Sequence, residues 1–291
     1  MNKLLQFRRL SAALAFRLML IYIKKALGLK TSPEDHVYLS YLFCLEQCDL
    51  RHLAEEENCF KVITRDKVCL YLRKYPSSDA QVLHQIWTEK EYQVVADYIQ
   101  KHFGGKKLRI IDAGANVGYA SLYLFQQLRD RYELEFIIIE PGEDNLRMLE
   151  KNFRANGMSG YHLEKAGLYH KSCYLQLSTD FRDGKEWSLR VEESASPTDL
   201  QAIEVLDLLG KYHWDHVDFF KIDIEGSEKY LFGNRDYAAS FMQKVRLISI
   251  EVHEEFIPGE EIASVLTENA FDSFTHGEIT IGNNRRFINE N

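Results

Sequence analysis

From Leu108 onward the chain alternates between short apolar runs and longer amphipathic stretches. The runs are 108–111, 136–139, 217–222 and 245–250, and the amphipathic stretches are 119–128, 144–156, 227–241 and 260–269. A run of four to six apolar residues is too short for a buried helix but suits a strand covered on both faces, and alternation with helices is the mark of a parallel sheet. The reading is therefore a Rossmann-like α/β fold, with a mostly parallel sheet and helices on both faces. Three further segments, 271–274, 278–281 and 286–288, read as terminal strands, antiparallel at the sheet edge. Between 171 and 197 the rhythm breaks into short strands, 173–177 and 187–191, of the kind expected for an irregular insertion.

Upstream, Tyr38, Leu42, Leu45 and Leu53 recur near helical spacing and predict a helix over 34–57. Segments 60–63 and 68–72 flank a polar turn at Arg65-Asp66 and predict a β-hairpin. A loop over 76–79 then leads into a helix over 80–101. The chain thus divides into an extension over 1–79, made of a basic helix, a helix and a β-hairpin, and a main domain over 80–291. With 45% hydrophobic and 27% charged residues it is no disordered polymer, and a net charge of −8 argues against non-specific nucleic-acid binding.

That charge is unevenly spread. Residues 1–30 hold seven Lys and Arg and no acid, so a +7 head sits on a −15 body. The apolar stretch 10–23 contains Ser11 and Arg17, too short and interrupted for a spanning helix and a poor signal peptide. It reads as a helix docked on its own domain or a partner subunit, or as a peripheral membrane contact; oligomerisation stays open. Five scattered cysteines without a CxxC pair point to reduced thiols and a cytoplasmic protein.

The strongest local signal is Asp112-Ala113-Gly114-Ala115-Asn116-Val117-Gly118, a strand running through a glycine turn into a helix. Small residues there let a ligand approach the backbone, and the helix start offers free N–H groups. The second glycine of a dinucleotide fingerprint is absent, and Asp112 would repel a pyrophosphate. An acid at that place suits a cation, and S-adenosylmethionine carries an ammonium and a sulfonium. Glu140, about 22 residues past the turn, ends the second strand where a carboxylate can accept ribose hydroxyls. Asp112, Glu140, Asp223 and Glu251 each terminate an apolar run, so one crevice at the strand ends would gather all four. A nicotinamide-dependent oxidoreductase and a structural turn with no ligand remain the alternatives here.

Asp112 through Gly118, Glu140-Pro141 with Asn145, Leu149 and Asn152, Phe220 through Glu228, and Ile250 through His253 together resemble the FkbM-type methyltransferases, over roughly residues 80–282. The resemblance implies a class I methyltransferase fold, S-adenosylmethionine as donor, and O-methylation of a small molecule or sugar; a non-catalytic binder of the same cofactor is the rival. On that reading Asp112, Gly114, Asn116, Gly118, Glu140, Pro141 and Asn145 hold the cofactor. Asp223, Glu225, Glu251 and His253 carry the chemistry.

An alcohol must lose its proton as it is methylated, and His253 and Asp223 are the candidate bases. His253 lies two positions after Glu251, so in an extended strand Glu251 would orient the imidazole. No metal site is assigned, but Asp223, Glu225, Glu251 and His253 could instead hold a divalent cation. Tyr174, Phe181, Arg182, Lys185, Trp187 and Arg190 in the insertion would suit a sugar or an anionic acceptor.

Overall fold

A computed structural model of the chain describes residues 9–30, 50–74, 77–178 and 190–287, together with the single positions 32, 35, 39 and 48. Seven strands form the central sheet: β4 (Lys107–Ala113), β5 (Glu133–Ile139), β6 (Tyr161–Glu164), β11 (Val217–Ile222), β12 (Val245–Glu251), β13 (Phe271–His276) and β14 (Ile279–Asn284). Their order is β13-β14-β12-β11-β4-β5-β6. The five strands from β12 to β6 pair parallel, while β14 pairs antiparallel with both neighbours. Strand β14 is therefore the single reversed member. The first of these strands in sequence, β4, lies in the middle of the five parallel strands, and the chain winds outward to either side. This is the class I methyltransferase arrangement of a Rossmann-like sheet.

Period-two alternation explains the apolar runs. Ile110, Phe136, Ile138, Phe219 and Leu247 pack into one core layer, and Ile111, Ile137, Phe220, Ile248 and Ile250 into the other. With both faces covered there is no polar face to alternate with. The helices α3 (Gln93–His102), α4 (Tyr119–Leu128) and α5 (Glu143–Ala155) belong to the first layer, and α6 (Val205–Lys211), α8 (Arg235–Met242) and α9 (Gly259–Glu268) to the second.

The N-terminal region departs from expectation at one place. Residues 50–55 form a strand, β1 (Leu50–Glu55), and not the end of a helix; it pairs antiparallel with β2 (Cys59–Thr64), which pairs with β3 (Cys69–Arg73). A register shift between Leu50 and His52 breaks the strand's alternation, which is why its apolar spacing imitates a helix. The rest of the expected helix falls mostly outside the described residues. Ahead of it α1 (Ala12–Ala26), capped by Ser11, lays Leu14 and Leu18 into the core beside Leu50 and Leu53.

Strand β3 would leave a bare edge, but α5 supplies substitutes for a neighbouring strand. Asn152 Oδ1 accepts from the Tyr71 N–H at 2.7 Å, and Asn156 Oδ1 accepts from the Cys69 N–H at 2.9 Å. Asn156 Nδ2 returns a bond to the Cys69 carbonyl at 2.7 Å. Arg73, at the strand's end, clasps Asp79 with its backbone N–H (2.6 Å) and guanidinium (2.7 Å). Asp79 is fully buried. Removing one partner of a buried ion pair leaves a charge without compensation, so Asp79→Ala is expected to cost about 3 kcal/mol. Urea unfolding measures it; a change below about 0.5 kcal/mol, the scale of an ordinary surface substitution, would show that the clasp contributes nothing.

The helix expected over 80–101 is broken. A short helix α2 (Asp79–Leu83) runs into a π-helical turn over His84–Thr88, and Lys90 adopts φ 60° before α3 begins. The break turns Glu91 inward, to 7% exposure. At the C-terminus Arg285–Phe287 is a 3₁₀ turn, correcting the third terminal strand read at 286–288. The insertion contributes β8 (Tyr174–Ser178) and β9 (Arg190–Glu193) to a small sheet with β7 (Ala166–Leu168) and β10 (Leu200–Ile203). Phe181, Arg182, Lys185 and Trp187 lie outside the described residues, and Cys59, Cys69 and Cys173 are free thiols.

Candidate active site

The C-terminal ends of β4, β5, β11 and β12 open on one cleft with two lobes. The smaller lobe, about 530 Å³ including its mouth, is lined by Gly114, Asn116, Glu140, Pro141, Asn145 and Leu168, among others. The larger, about 1100 Å³, is walled by Ser78, Gln85, Glu91, Glu251, His253 and Glu278. Gly114, Asn116, Asp223 and Glu225 border both.

The turn after β4 is built from left-handed backbone: Gly114 has φ 75°, Asn116 50° and Gly118 82°. A Cβ on Gly114 would lie 1.6 Å from the Asp223 carbonyl oxygen, so the two loops meet backbone to backbone. Opposite, Glu225 (φ 52°) and Gly226 (φ 85°) are left-handed as well. A non-glycine residue there stores strain of order 1–3 kcal/mol, of the kind that collects at functional sites.

Glu140 is the anchor of the small lobe. Its Oε2 accepts from the Asn116 N–H at 2.8 Å, and its Oε1 from the Gly142 N–H at 2.8 Å and Asn145 Nδ2 at 2.9 Å. One lone pair of Oε2 remains free for a ligand hydroxyl. Burial raises its pKa to about 7 even though all three donors oppose that shift. Arg73 donates to Asn145 Oδ1 at 2.8 Å, so the N-terminal hairpin helps to fix Glu140.

Two of the expected cofactor residues do not reach the cleft wall. Asp112 is 1% exposed; it accepts from Ser121 Oγ at 2.6 Å and pairs with Lys221 Nζ at 3.0 Å. It meets Lys221 because the two sit side by side in the register of β4 and β11. Lys221 Nζ also donates to the Gly114 carbonyl at 2.9 Å and lies 3.3 Å from Asp223. Asp112 thus acts through Lys221, which it locks in place, and not by touching a ligand cation. Burial alone would lower the Lys221 pKa, but the Asp112 and Asp223 charges override it and hold the ammonium charged. Gly118 starts α4, where a Cβ would fall 2.6 Å from the Phe153 ring. Its role is close helix packing.

In the large lobe, ligand atoms of Asp223, Glu251 and His253 all lie within 4.8 Å of one another. Glu251 does not orient the imidazole, as the extended-strand argument had it. The strand ends at Glu251, and His253 turns toward the loop after β11. There its Nδ1 lies 3.2 Å from Glu228 Oε1 and its Nε2 3.5 Å from Glu225 Oε2. Burial opposes a charge on this ring, yet the bonds to Glu225 and Glu228 win and raise its pKa to about 11. With both ring nitrogens set against carboxylates, the geometry favours His253 as a charged partner of Glu225 and Glu228 over the base expected from the sequence. Glu251, by contrast, is pushed far up, first by the Asp223 carboxylate and then by burial.

Sequence reasoning passed over Lys221, Glu228, Glu91, Gln85 and Glu278 as site residues. Glu228, fully buried at the start of α7 (Glu228–Phe232), also accepts from the Ile224 N–H at 2.9 Å. Gln85 Nε2 donates to Glu91 Oε1 at 3.0 Å and Glu278 Oε2 at 3.1 Å, tying the helix break to the β13–β14 turn. Ser78 Oγ, buried in the same wall, has no hydrogen-bond partner among the described residues. A lysine in phase with Asp112 on the neighbouring apolar run was the one legible signal among these.

A reversed strand inside an otherwise parallel seven-stranded sheet, with acids at the strand ends around a glycine turn, defines the class I methyltransferase architecture. The chain belongs to the FkbM methyltransferase domain family, whose model matches residues 112–279, over half of the 291. Among solved structures, methyltransferase FkbM from Methylobacillus flagellatus KT is 18% identical, with TM-score 0.43, over 71% of this chain and 53% of that one. The chain therefore spans about half the length of that relative. The N-terminal domain of EvdMO1, solved in the presence of SAH and D-fucose, is 13% identical over 67% and 84% (TM-score 0.38). The METTL16 methyltransferase domain is 13% identical over 72% and 69% (TM-score 0.40). No curated protein matches the sequence.

Proposed function

We propose that the chain transfers the methyl group of S-adenosylmethionine to a hydroxyl oxygen of a small, uncharged acceptor, a sugar or glycan. The observation that carries this is the charge of the cleft. Among the described residues, Glu91, Asp223, Glu225, Glu228 and Glu251 surround only Lys221 and His253, leaving a negative site beside a recess headed by Glu140. A cation bearing a ribose fits such a site, and a pyrophosphate does not. The Oδ1 of Asn116 at the junction of the lobes, without a partner among the described residues, is a further open acceptor for it. Glu140, Pro141 and Leu168 would hold the adenosine, and Gly114, Asn116 and Asp223 the methionine end. When bound, the donor supplies an electrophilic methyl on sulfur.

The chain's own groups do the rest. Ser78, Gln85, Glu91 and Glu278 offer hydroxyl-binding partners to the acceptor, and their carboxylates disfavour a phosphorylated one. Glu251, beside Asp223, takes up the hydroxyl's proton when it is ionised, while His253 fixes Glu225 and Glu228 behind it. A second reading places a divalent cation on Asp223, Glu251 and His253, favoured by the convergence of their ligand atoms.

Titration calorimetry with S-adenosylmethionine tests the donor. Wild type is expected to bind and Glu140→Ala to lose at least tenfold in affinity; no binding by wild type would overturn the reading. The anion of Glu140 is the form that accepts N–H donors and a hydroxyl, so affinity should hold above pH 7 and fall below it. The stability effect has the opposite sign: a carboxyl whose pKa rises on folding stabilises the fold below its ordinary 4.5 and loses that contribution as pH rises through 7.

A further inference from the structure

Helix α1 is apolar on two opposite sides. Leu14, Leu18 and Ile21 are buried toward the body of the protein. On the other side Phe16, Met19, Leu20, Ile23 and Leu27 recur at intervals of three and four, one stripe at helical period. These five are 44–68% exposed, and Tyr22 and Leu29 extend the patch. Of the eleven large hydrophobic residues exposed among the described residues, seven lie between 16 and 29. Single exposed apolar residues need no explanation; a contiguous stripe marks a contact surface.

We infer that this stripe docks the protein on the surface of an anionic bilayer. The charge distribution favours that occupant: residues 1–30 carry seven cationic groups and no acid, while the remainder is strongly acidic. An anionic surface attracts the first and repels the second, which orients the molecule with α1 against the lipid. Lys24, in the helix's last turn and flanking the stripe beside Leu20, would face the headgroups. A second copy of the chain is a weaker match. A helix of this length is about 22 Å long and 10–12 Å across, roughly 250 Å² of face, against about 800 Å² per partner in a standard interface. The helix lies on the membrane and does not cross it: no helix among the described residues is long and apolar enough to span.

Flotation of the full-length protein with vesicles decides the matter. Binding is expected to vesicles of phosphatidylcholine with phosphatidylserine, weakly if at all to phosphatidylcholine alone, and to weaken in high salt. The triple variant Phe16→Ser, Leu20→Ser, Ile23→Ser should lose about tenfold or more of that binding. Because those side chains face outward, its melting temperature and its affinity for S-adenosylmethionine should match wild type. Failure of wild type to float, equal flotation of the variant, or a wild-type dimer that the variant dissolves without any vesicle binding would each overturn the proposal. It does not depend on the methyl acceptor.

Discussion

Gly114→Ala is expected to give a protein that no longer binds S-adenosylmethionine and is destabilised by about 4 kcal/mol or more. The added Cβ would sit 1.6 Å from the Asp223 carbonyl oxygen and 2.7 Å from its carbon. Both neighbours are backbone, so no side-chain rotation relieves the clash, and the φ of 75° is itself unfavourable to alanine. The turn after β4 must then part from the loop after β11, and the floor shared by the two lobes goes with it. Gly105→Ala and Gly157→Ala are the controls: both glycines have positive φ but nothing within 4 Å of a Cβ, so each should cost about 1 kcal/mol. Thermal melts and calorimetry on the three variants separate strain from contact. Wild-type affinity in Gly114→Ala would mean that the donor does not use this floor.

Glu251→Gln should lower kcat by about 10²–10⁴, the usual range for a positioned base, with donor affinity within a few-fold of wild type. Glutamine keeps the shape and loses the proton acceptor. Since Asp223 and burial push the Glu251 pKa upward, the competent anion is scarce at neutral pH, and wild-type kcat should climb from neutral toward alkaline pH. That climb should vanish in the variant. A chelator added to wild type discriminates the second reading: unchanged activity supports proton transfer to the carboxylate pair, whereas a loss reversed by magnesium or manganese places a cation on Asp223, Glu251 and His253. Near-normal turnover by Glu251→Gln in the absence of added metal would remove Glu251 from either role.

The sheet was readable because both its faces are buried, so that β4, β5, β11 and β12 appear as mostly apolar runs with an acid at or just past the end. Strand β1 was misread because a bulge disturbs its alternation, and only pairing with β2, a tertiary fact, declares it a strand. The π-helical turn at His84–Thr88 carries no proline or glycine to announce it, so the inward turn of Glu91 was hidden. The strand-end acids were legible as a set, but their division of labour was not. Asp112 and Glu140 look alike in sequence, yet one is spent on a neighbouring lysine and the other faces the lobe. For His253, two residues of extended strand would have aimed it at Glu251; the strand stops first, and carboxylates from the loop after β11 capture the ring.

The asparagine amides that α5 lends to β3 have a consequence for where the molecule can be cut. Asn152 serves Tyr71 on one side and the Val117 carbonyl on the other, while Asn145 spans Arg73 and Glu140. Trimming the chain to its family-matched stretch would strip these amides of their outer partners and slacken the residues proposed to hold the donor. The smallest fragment able to hold a ligand therefore starts well upstream of the signature turn, with the hairpin serving as a brace.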